Sequence, residues 1–192
     1  MGTVKDWLKR GIAAVLVLAL VGAITPAHAV VSGSVSSGVD LKDDRSADVE
    51  AAITTVKRLF GWTVTNGTTS DKADLWWADT RTLSASASEA LDLTAVTNLF
   101  GTVTFAKVKA VFVIADRGNT NDVQVTRTAT TGALLFMADG DGIALKPGAA
   151  FMFISPVTGF VVTDTSDDTL TITNSAGSTS VTYTIVIIGT SA

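Results

Sequence analysis

The chain of 192 residues has a net charge of −4, one histidine and no cysteine. Charged residues make up 17% of it, below the roughly 25% of ordinary soluble domains, and no basic run marks a nucleic-acid surface. These counts exclude disulfides and thiolate chemistry, and with His28 as the one histidine we expect neither a histidine-based triad nor a multi-histidine metal site within one chain.

The first 29 residues are similar to a secretory signal peptide. Lys5, Lys9 and Arg10 precede an apolar run over residues 11–24, and the sequence Ala-His-Ala ends at residue 29. A basic flank, an apolar centre and a small-residue ending are typical of an export signal. The run is short for a membrane span, which needs roughly 20 residues. A retained hydrophobic arm, a membrane anchor and a prepilin-type leader stay open as alternatives.

Residues 30–60 predict a flexible linker followed by an appended helix. Residues 30–38 are rich in serine and glycine, which is typical of a linker. Over residues 43–60 the apolar residues recur at helical spacing, with acidic residues in the first turn and Lys57 and Arg58 in the last. Gly61 ends this pattern. We expect the amphipathic helix to pack on the main domain or on a neighbouring subunit.

Residues 61–192 predict an all-β domain. Asn66-Gly67 is a strong hairpin signal, and with Thr68 it also matches a glycosylation sequon. Over residues 103–115, an alternation of apolar and polar residues gives way to a continuous apolar run. This pattern predicts a long central strand. Short apolar segments then alternate with turn-forming segments as far as the C-terminus. The predicted fold is an antiparallel, jelly-roll-like β-sandwich.

Strand periodicity predicts which side chains of the sandwich are buried and which are left for contacts. Trp76 and Trp77 are adjacent, so they must point to opposite faces of a strand, one to the core and one to a subunit or ligand. Met152 is a further contact candidate because Phe151 and Phe153 on either side of it share the other face. The predicted core residues are Phe112, Ile114, Phe151, Phe153, Ile185 and Ile187.

Two acidic clusters are weak candidates for calcium ligands. Asp139 and Asp141 form one cluster, and Asp164, Asp167 and Asp168 belong to the other. Calcium prefers several oxygen ligands, but neither cluster has EF-hand spacing. Aspartate is also an ordinary turn former, so plain turns are the favoured interpretation. No cofactor is predicted.

Two further chemistries depend on side chains meeting in space. Asp79 and Glu89 could supply paired acids for glycoside hydrolysis, and Trp62, Trp76 and Trp77 could form a platform for sugar stacking. The chain has no cleft-forming insertion beside these residues, and buried packing is the commoner role of tryptophan. We therefore predict a protein that is not an enzyme.

Several turn and strand motifs occur in a recognisable order between residue 74 and the C-terminus. The motifs are LWWADTRTLSASASEALDL at residues 75–93, FGTVTFAKVK at 100–109, NTNDV at 119–123, GDGI at 140–143, KPG at 146–148 and LTITNSAGSTSVTYTIVIIG at 170–189. In this order they resemble a group of tailed-phage and prophage proteins that are virion structural components.

The resemblance implies a non-enzymatic role in a phage virion, as a decoration, minor capsid or other accessory protein. We expect a homo-oligomer whose partners are other virion proteins, such as the major capsid protein. The leader favours an alternative, a secreted or surface-anchored bacterial subunit of filament or adhesin type. In that case residues 11–29 would provide the route to a membrane.

Overall fold

The computed structural model describes residues 30–46, 51–98 and 101–192, so the signal-like residues 1–29 lie outside the described part. The described chain is all-β and its strands pair antiparallel. No helix long and apolar enough to cross a bilayer occurs among the described residues. The strands are β1 (Gly33–Ser46), β2 (Ala51–Val64), β3 (Leu75–Leu83), β4 (Ser88–Asp92), β5 (Val96–Asn98), β6 (Gly101–Val103), β7 (Lys107–Ala115), β8 (Val123–Thr126), β9 (Gly142–Leu145), β10 (Ala150–Ile154), β11 (Phe160–Val161), β12 (Thr169–Asn174) and β13 (Val181–Thr190).

Two sheets form a sandwich. The front sheet has the strand order β10-β7-β13-β3, with β11 also pairing with β7, and the back sheet has the order β4-β12-β8-β9. Strand β13 lies at the centre of the front sheet, since it pairs with β3 on one side and with β7 on the other. The short strands β5 and β6 pair only with each other. The prediction of an all-β antiparallel sandwich is confirmed.

The main core lies between the two sheets. Val111 and Val113 of β7 and Ile185 and Ile187 of β13 are fully buried there, opposite Leu170 and Ile172 of the back sheet. Phe151 and Phe153 of the edge strand β10 pack against the same core. These contacts confirm the predicted core positions on β10 and β13.

The predicted core position of Ile114 is wrong, and Phe112 does not belong to the main core. On β7 the inward side chains are Val111, Val113 and Ala115. Ile114 is therefore exposed and Phe112 half-buried on the other face. A run that is apolar at every position carries no period-two signal, so it cannot tell which set of alternate residues points inward.

The N-terminal part of the described chain is a two-stranded ribbon, and the predicted linker and helix are wrong. Strands β1 and β2 pair over their whole lengths, from Gly33 opposite Val64 to Ser46 opposite Ala51. Residues 47–50, which the predicted helix included, lie outside the described residues. The β-branched residues at positions 53–56 favour a strand, and strand β2 runs through Gly61 without interruption. We call this pair of strands the ribbon.

The base of the ribbon packs on the outer face of the front sheet. Val35, Trp62 and Val64 are buried there in a second cluster with Ala73 and Ala110. The indole Nε1 of Trp62 donates a hydrogen bond to the Asp71 carbonyl at 3.0 Å. This second cluster joins the ribbon to the sandwich.

Asn66-Gly67 does not form the predicted tight hairpin. Strand β3 takes β13 as its partner rather than β2, so residues 65–74 form a loop between two different sheets. The buried side chain of Lys109 holds this loop, because its ammonium donates to the carbonyls of Thr69 at 2.6 Å and Lys72 at 2.7 Å. Lys109 is the extra residue of a β-bulge, between Val108 and Ala110 opposite β13, and its burial lowers its pKa.

We predict that Ile185→Ala lowers the free energy of unfolding by about 2–5 kcal/mol, because Ile185 fills the centre of the sandwich and truncation leaves a cavity. Val157→Ala, at an exposed position in the turn after β10, should change it by no more than about 0.5 kcal/mol. Urea unfolding followed by tryptophan fluorescence measures both values. Equal effects of the two substitutions would contradict the position of the core.

Candidate assembly surface

The outer face of the front sheet is apolar across its full width. Strand register places three rows of residues on this face. The rows are Ala150, Ile114, Thr184 and Thr80; then Met152, Phe112, Val186 and Ala78; then Ile154, Ala110, Ile188 and Trp76. All of these residues except the two threonines are apolar, and none is charged. Beyond the first row, Thr182 and Thr82 lie on the same side of the sheet and share a hydrogen bond between their hydroxyls. We call the three rows the open face.

The ribbon covers only one end of the open face. Its base packs on the third row, where Ala110 is buried and Ile154 and Ile188 are half-buried. Trp76, at the β3 end of this row, is 50% exposed, and beyond the base Ile114 is 46% and Met152 40% exposed. A groove of about 290 Å³ runs along the junction, lined by Val30 and Val31 on one side and by Trp76, Val186 and Ile188 on the other. Large contiguous apolar surfaces on a soluble chain mark interaction sites.

Two of the three predicted contact residues lie on the open face. Trp76 and Met152 stand at its opposite edges, on β3 and β10. Trp77 points inward, is 2% exposed and donates from its indole Nε1 to the Thr97 carbonyl at 2.9 Å. Sequence reasoning missed Ile114, which it assigned to the core.

The tryptophans do not form the sugar-stacking platform that the sequence left open as a possibility. Trp62 is buried between the ribbon and the front sheet and Trp77 is buried in the core, so neither ring can stack on a ligand. Trp76 alone of the three presents its ring to solvent. The described residues therefore contain no platform of these three rings, in line with the favoured interpretation that tryptophans pack in the core or at an interface.

The outer part of the ribbon carries a second uncovered apolar surface. Leu41 is 64% exposed and Phe60 41% exposed, and the register places both on the ribbon face that carries Val35 and Trp62 at the base. In the described part of the chain, neither ribbon strand pairs with any other strand. An isolated two-stranded ribbon is only marginally stable in water, so this arm needs a covering surface.

The five aspartates considered as calcium ligands lie in turns of the chain, and the resolved contacts of three of them are made within the protein. Asp139 forms an ion pair with Arg127, with 3.3 Å between the carboxylate and Nε, and Asp141 accepts a hydrogen bond from the Ala138 N–H at 2.9 Å. Asp168 is buried and accepts from the Thr165 N–H at 2.6 Å. Asp164 and Asp167 lie in the same turn as Asp168. Within the described residues, no three acidic or histidine side chains come close enough to hold a metal ion.

The two acids of the glycosidase hypothesis meet at one arginine between the two sheets. Arg81 Nε donates to Glu89 at 2.8 Å and its Nη1 donates to Asp79 at 2.9 Å. The buried hydroxyl of Tyr183 donates to the other oxygen of Glu89. Both carboxylates are thus paired within the protein, and the cluster joins β3 and β13 of the front sheet to β4 of the back sheet. The hydrogen bond with Glu89 raises the pKa of Arg81.

The motif at residues 119–123 closes one end of the sandwich. Asn119 accepts from the Thr182 N–H and donates to the Thr182 carbonyl, each at 2.8 Å. Asn121 donates to the Thr179 carbonyl at 3.0 Å and to the amide oxygen of Asn174 at 3.1 Å. The buried amide of Asn121 thus satisfies a loop carbonyl, and the half-buried amide of Asn119 pairs with the backbone at the start of β13. The motif therefore has a structural role in this chain.

No protein-family model matches the sequence, and no curated protein matches it.

Tyr183 provides a pH test of the cluster between the sheets. Burial, followed by the hydrogen bond with Glu89, raises its pKa above the ordinary value of 10.0. A raised folded-state pKa means that the contribution to stability is fully present below pH 10.0 and is lost as the pH rises above it. We predict that the free energy of unfolding falls as the pH rises above that value. In the Tyr183→Phe variant, the share of this pH dependence that comes from the tyrosine should be lost.

Because Tyr183 is the only tyrosine, near-ultraviolet absorbance reports its ionisation directly. The folded protein should stay un-ionised at pH values where the urea-unfolded chain has already titrated, and Glu89→Gln should move the folded titration to lower pH. An ordinary tyrosine titration in a chain whose fluorescence is still native would contradict the buried hydrogen bond.

Proposed function

We propose that the protein is a non-enzymatic structural subunit of a phage virion, a decoration, minor capsid or other accessory protein that acts by homo-oligomeric assembly. The observation that carries this proposal is the open face, an uncharged apolar surface that the described residues of one chain cover only at one end. Ligand sites are usually concave pockets with a few convergent polar groups. The open face is broad and carries only two threonine hydroxyls, which suits contact with a protein surface better.

We further propose that the sandwich is a jelly roll. Its eight main strands, taken in chain order as first to eighth, are β3, β4, β7, β8, β9, β10, β12 and β13. The first pairs with the eighth, the second with the seventh, the third with the sixth and the fourth with the fifth. Such pairing is what results when one long antiparallel hairpin of four strand pairs is rolled into two sheets.

This architecture supports a virion role by analogy, since jelly rolls occur in viral capsid domains as well as in lectins and cupins. The resemblance of residues 74–192 to phage virion proteins supports the same role. The major capsid protein is the proposed partner on the particle. The net charge of −4 gives no support to a nucleic-acid partner.

The alternative proposal is a secreted or surface-anchored bacterial subunit of filament or adhesin type. It rests on the export-like pattern of residues 1–29. Intact mass of the protein purified from its natural source distinguishes the two, because export by a cleaved signal removes those residues. A virion protein of full length, recovered with purified particles, supports the leading proposal.

Ile114→Lys tests the assembly role, because it places a charge in the middle of the open face. We predict that the full-length chain runs as an oligomer in size-exclusion chromatography with light scattering and binds particles. The Ile114→Lys variant should be a monomer and lose particle binding. Met137→Lys is the matched control, since Met137 is 97% exposed in the loop between β8 and β9, and it should keep both properties. A wild-type chain that is monomeric and does not bind particles would overturn the proposal.

A further inference from the structure

One face of the ribbon already binds the outer face of the front sheet within a single chain. Val35, Trp62 and Val64 are buried against the row that contains Ala110 and Ile188. In this contact, the apolar side chains of a pair of strands pack on the apolar side chains of a sheet.

The same ribbon face continues outward, and no described residue covers it. Phe60 lies one step beyond the base on this face, opposite Ser37, and Leu41 lies further along it. Both side chains are exposed. At 14 residues per strand the ribbon is about 46 Å long, at roughly 3.3 Å per residue. Its outer part makes extensive contacts only between its own two strands.

The opposite face of the ribbon is suited to solvent. Asp40 and Lys57 stand opposite each other on it and form an ion pair of 3.5 Å, with 60% of each side chain exposed. Leu59 also lies on this face, folded across Gly38, where an added Cβ would stand 2.3 Å from a Leu59 methyl. The register also places charged residues on the apolar face: Arg58, which donates to the Lys57 carbonyl at 3.2 Å, and Asp43 and Arg45 nearer the tip. The ribbon therefore has one side suited to a sheet and one suited to water.

One chain thus carries two uncovered apolar surfaces that match each other. Among the described residues, the open face is uncharged and lacks a cover beyond the ribbon base, while the outer ribbon lacks a sheet to lie on. The outer ribbon does not cover the open face of its own chain, because the side chains on both surfaces are exposed: Leu41, Phe60, Ile114 and Met152. A second copy brings each surface the partner that it lacks.

We propose that the outer ribbon of one copy lies, with its Leu41 and Phe60 side, across the open face of a neighbouring copy. The contact extends to a second molecule the packing that the ribbon base makes within its own chain. This inference rests on the proposed function and identifies the interface that assembly would use. The occupant of the open face is then the ribbon of another copy, rather than residues 11–24 or a lipid surface.

The absence of cysteine from the chain allows a direct cross-linking test with the full-length protein. One preparation carries Leu41→Cys and a second carries Ile114→Cys; the two are mixed, allowed to exchange subunits and treated with a short bis-maleimide. Only a contact between copies can join these two thiols. We expect a cross-linked dimer in the mixture, several-fold above the yield from either preparation alone.

Asp40→Cys is the matched control, because residue 40 is next to residue 41 but on the polar face of the ribbon. Mixed with Ile114→Cys, it should give no more dimer than the single preparations give. Equal yields from Leu41→Cys and Asp40→Cys would overturn the proposal. A third mixture, Leu18→Cys with Ile114→Cys, tests the N-terminal apolar run. Cross-linking there without cross-linking at residue 41 would identify that run as the occupant and would also overturn the proposal.

Light scattering on the same samples separates this inference from the proposed function. Oligomers that show no link between residues 41 and 114 would overturn the ribbon contact and leave an assembly role standing. Monomers in every mixture would overturn both.

Discussion

A sheet that is apolar on both faces must be covered on both, and the front sheet of this protein is such a sheet. Its central strands β7 and β13 carry apolar side chains on both sides: Val113 and Ile185 toward the core, Phe112 and Val186 away from it. Burial of apolar surface stabilises by about 25 cal/mol per Å², which makes an uncovered face costly in water. The back sheet buries the inner side chains of both central strands, whereas among the described residues the ribbon base covers only one end of the outer face. The proposals about assembly follow from this imbalance.

The polar contacts of the sandwich stabilise its edges and leave the open face free. Arg81, Glu89 and Tyr183 join the two sheets where β3 passes into β4, and Asn121 and Asn174 fasten loops at one end. Lys109 holds the loop that follows the ribbon. Each of these groups is satisfied within the chain, so none of them needs a ligand. A rigid sandwich with a projecting ribbon is a suitable shape for a subunit that joins copies of itself.

Sequence correctly predicts which face of a strand a side chain lies on where the strand alternates regularly. Trp76 and Trp77, and the series from Phe151 to Phe153, were assigned correctly to opposite faces because a strand turns each side chain by half a revolution. The run through Phe112 and Ile114 has no alternation of polar and apolar residues. Which of its side chains point to the core is therefore decided by the pairing of β7 with β13 and not by the local sequence. The ribbon was mistaken for a helix because apolar residues between positions 49 and 60 also fall three and four apart, as on one face of a helix. The cluster at Arg81 was out of reach, since Glu89 and Tyr183 are 94 residues apart and nothing local links them.

Hydrogen exchange of the ribbon backbone tests most directly whether another copy covers it. Peptides from residues 36–46 and 51–61 would be followed in the full-length protein at a high concentration and in the Ile114→Lys variant at the same concentration. The account predicts slow exchange in the wild-type oligomer and fast exchange in the variant, while the core strands β7 and β13 stay protected in both. Fast exchange of the ribbon in an intact wild-type oligomer would show that no copy covers it and would contradict the account.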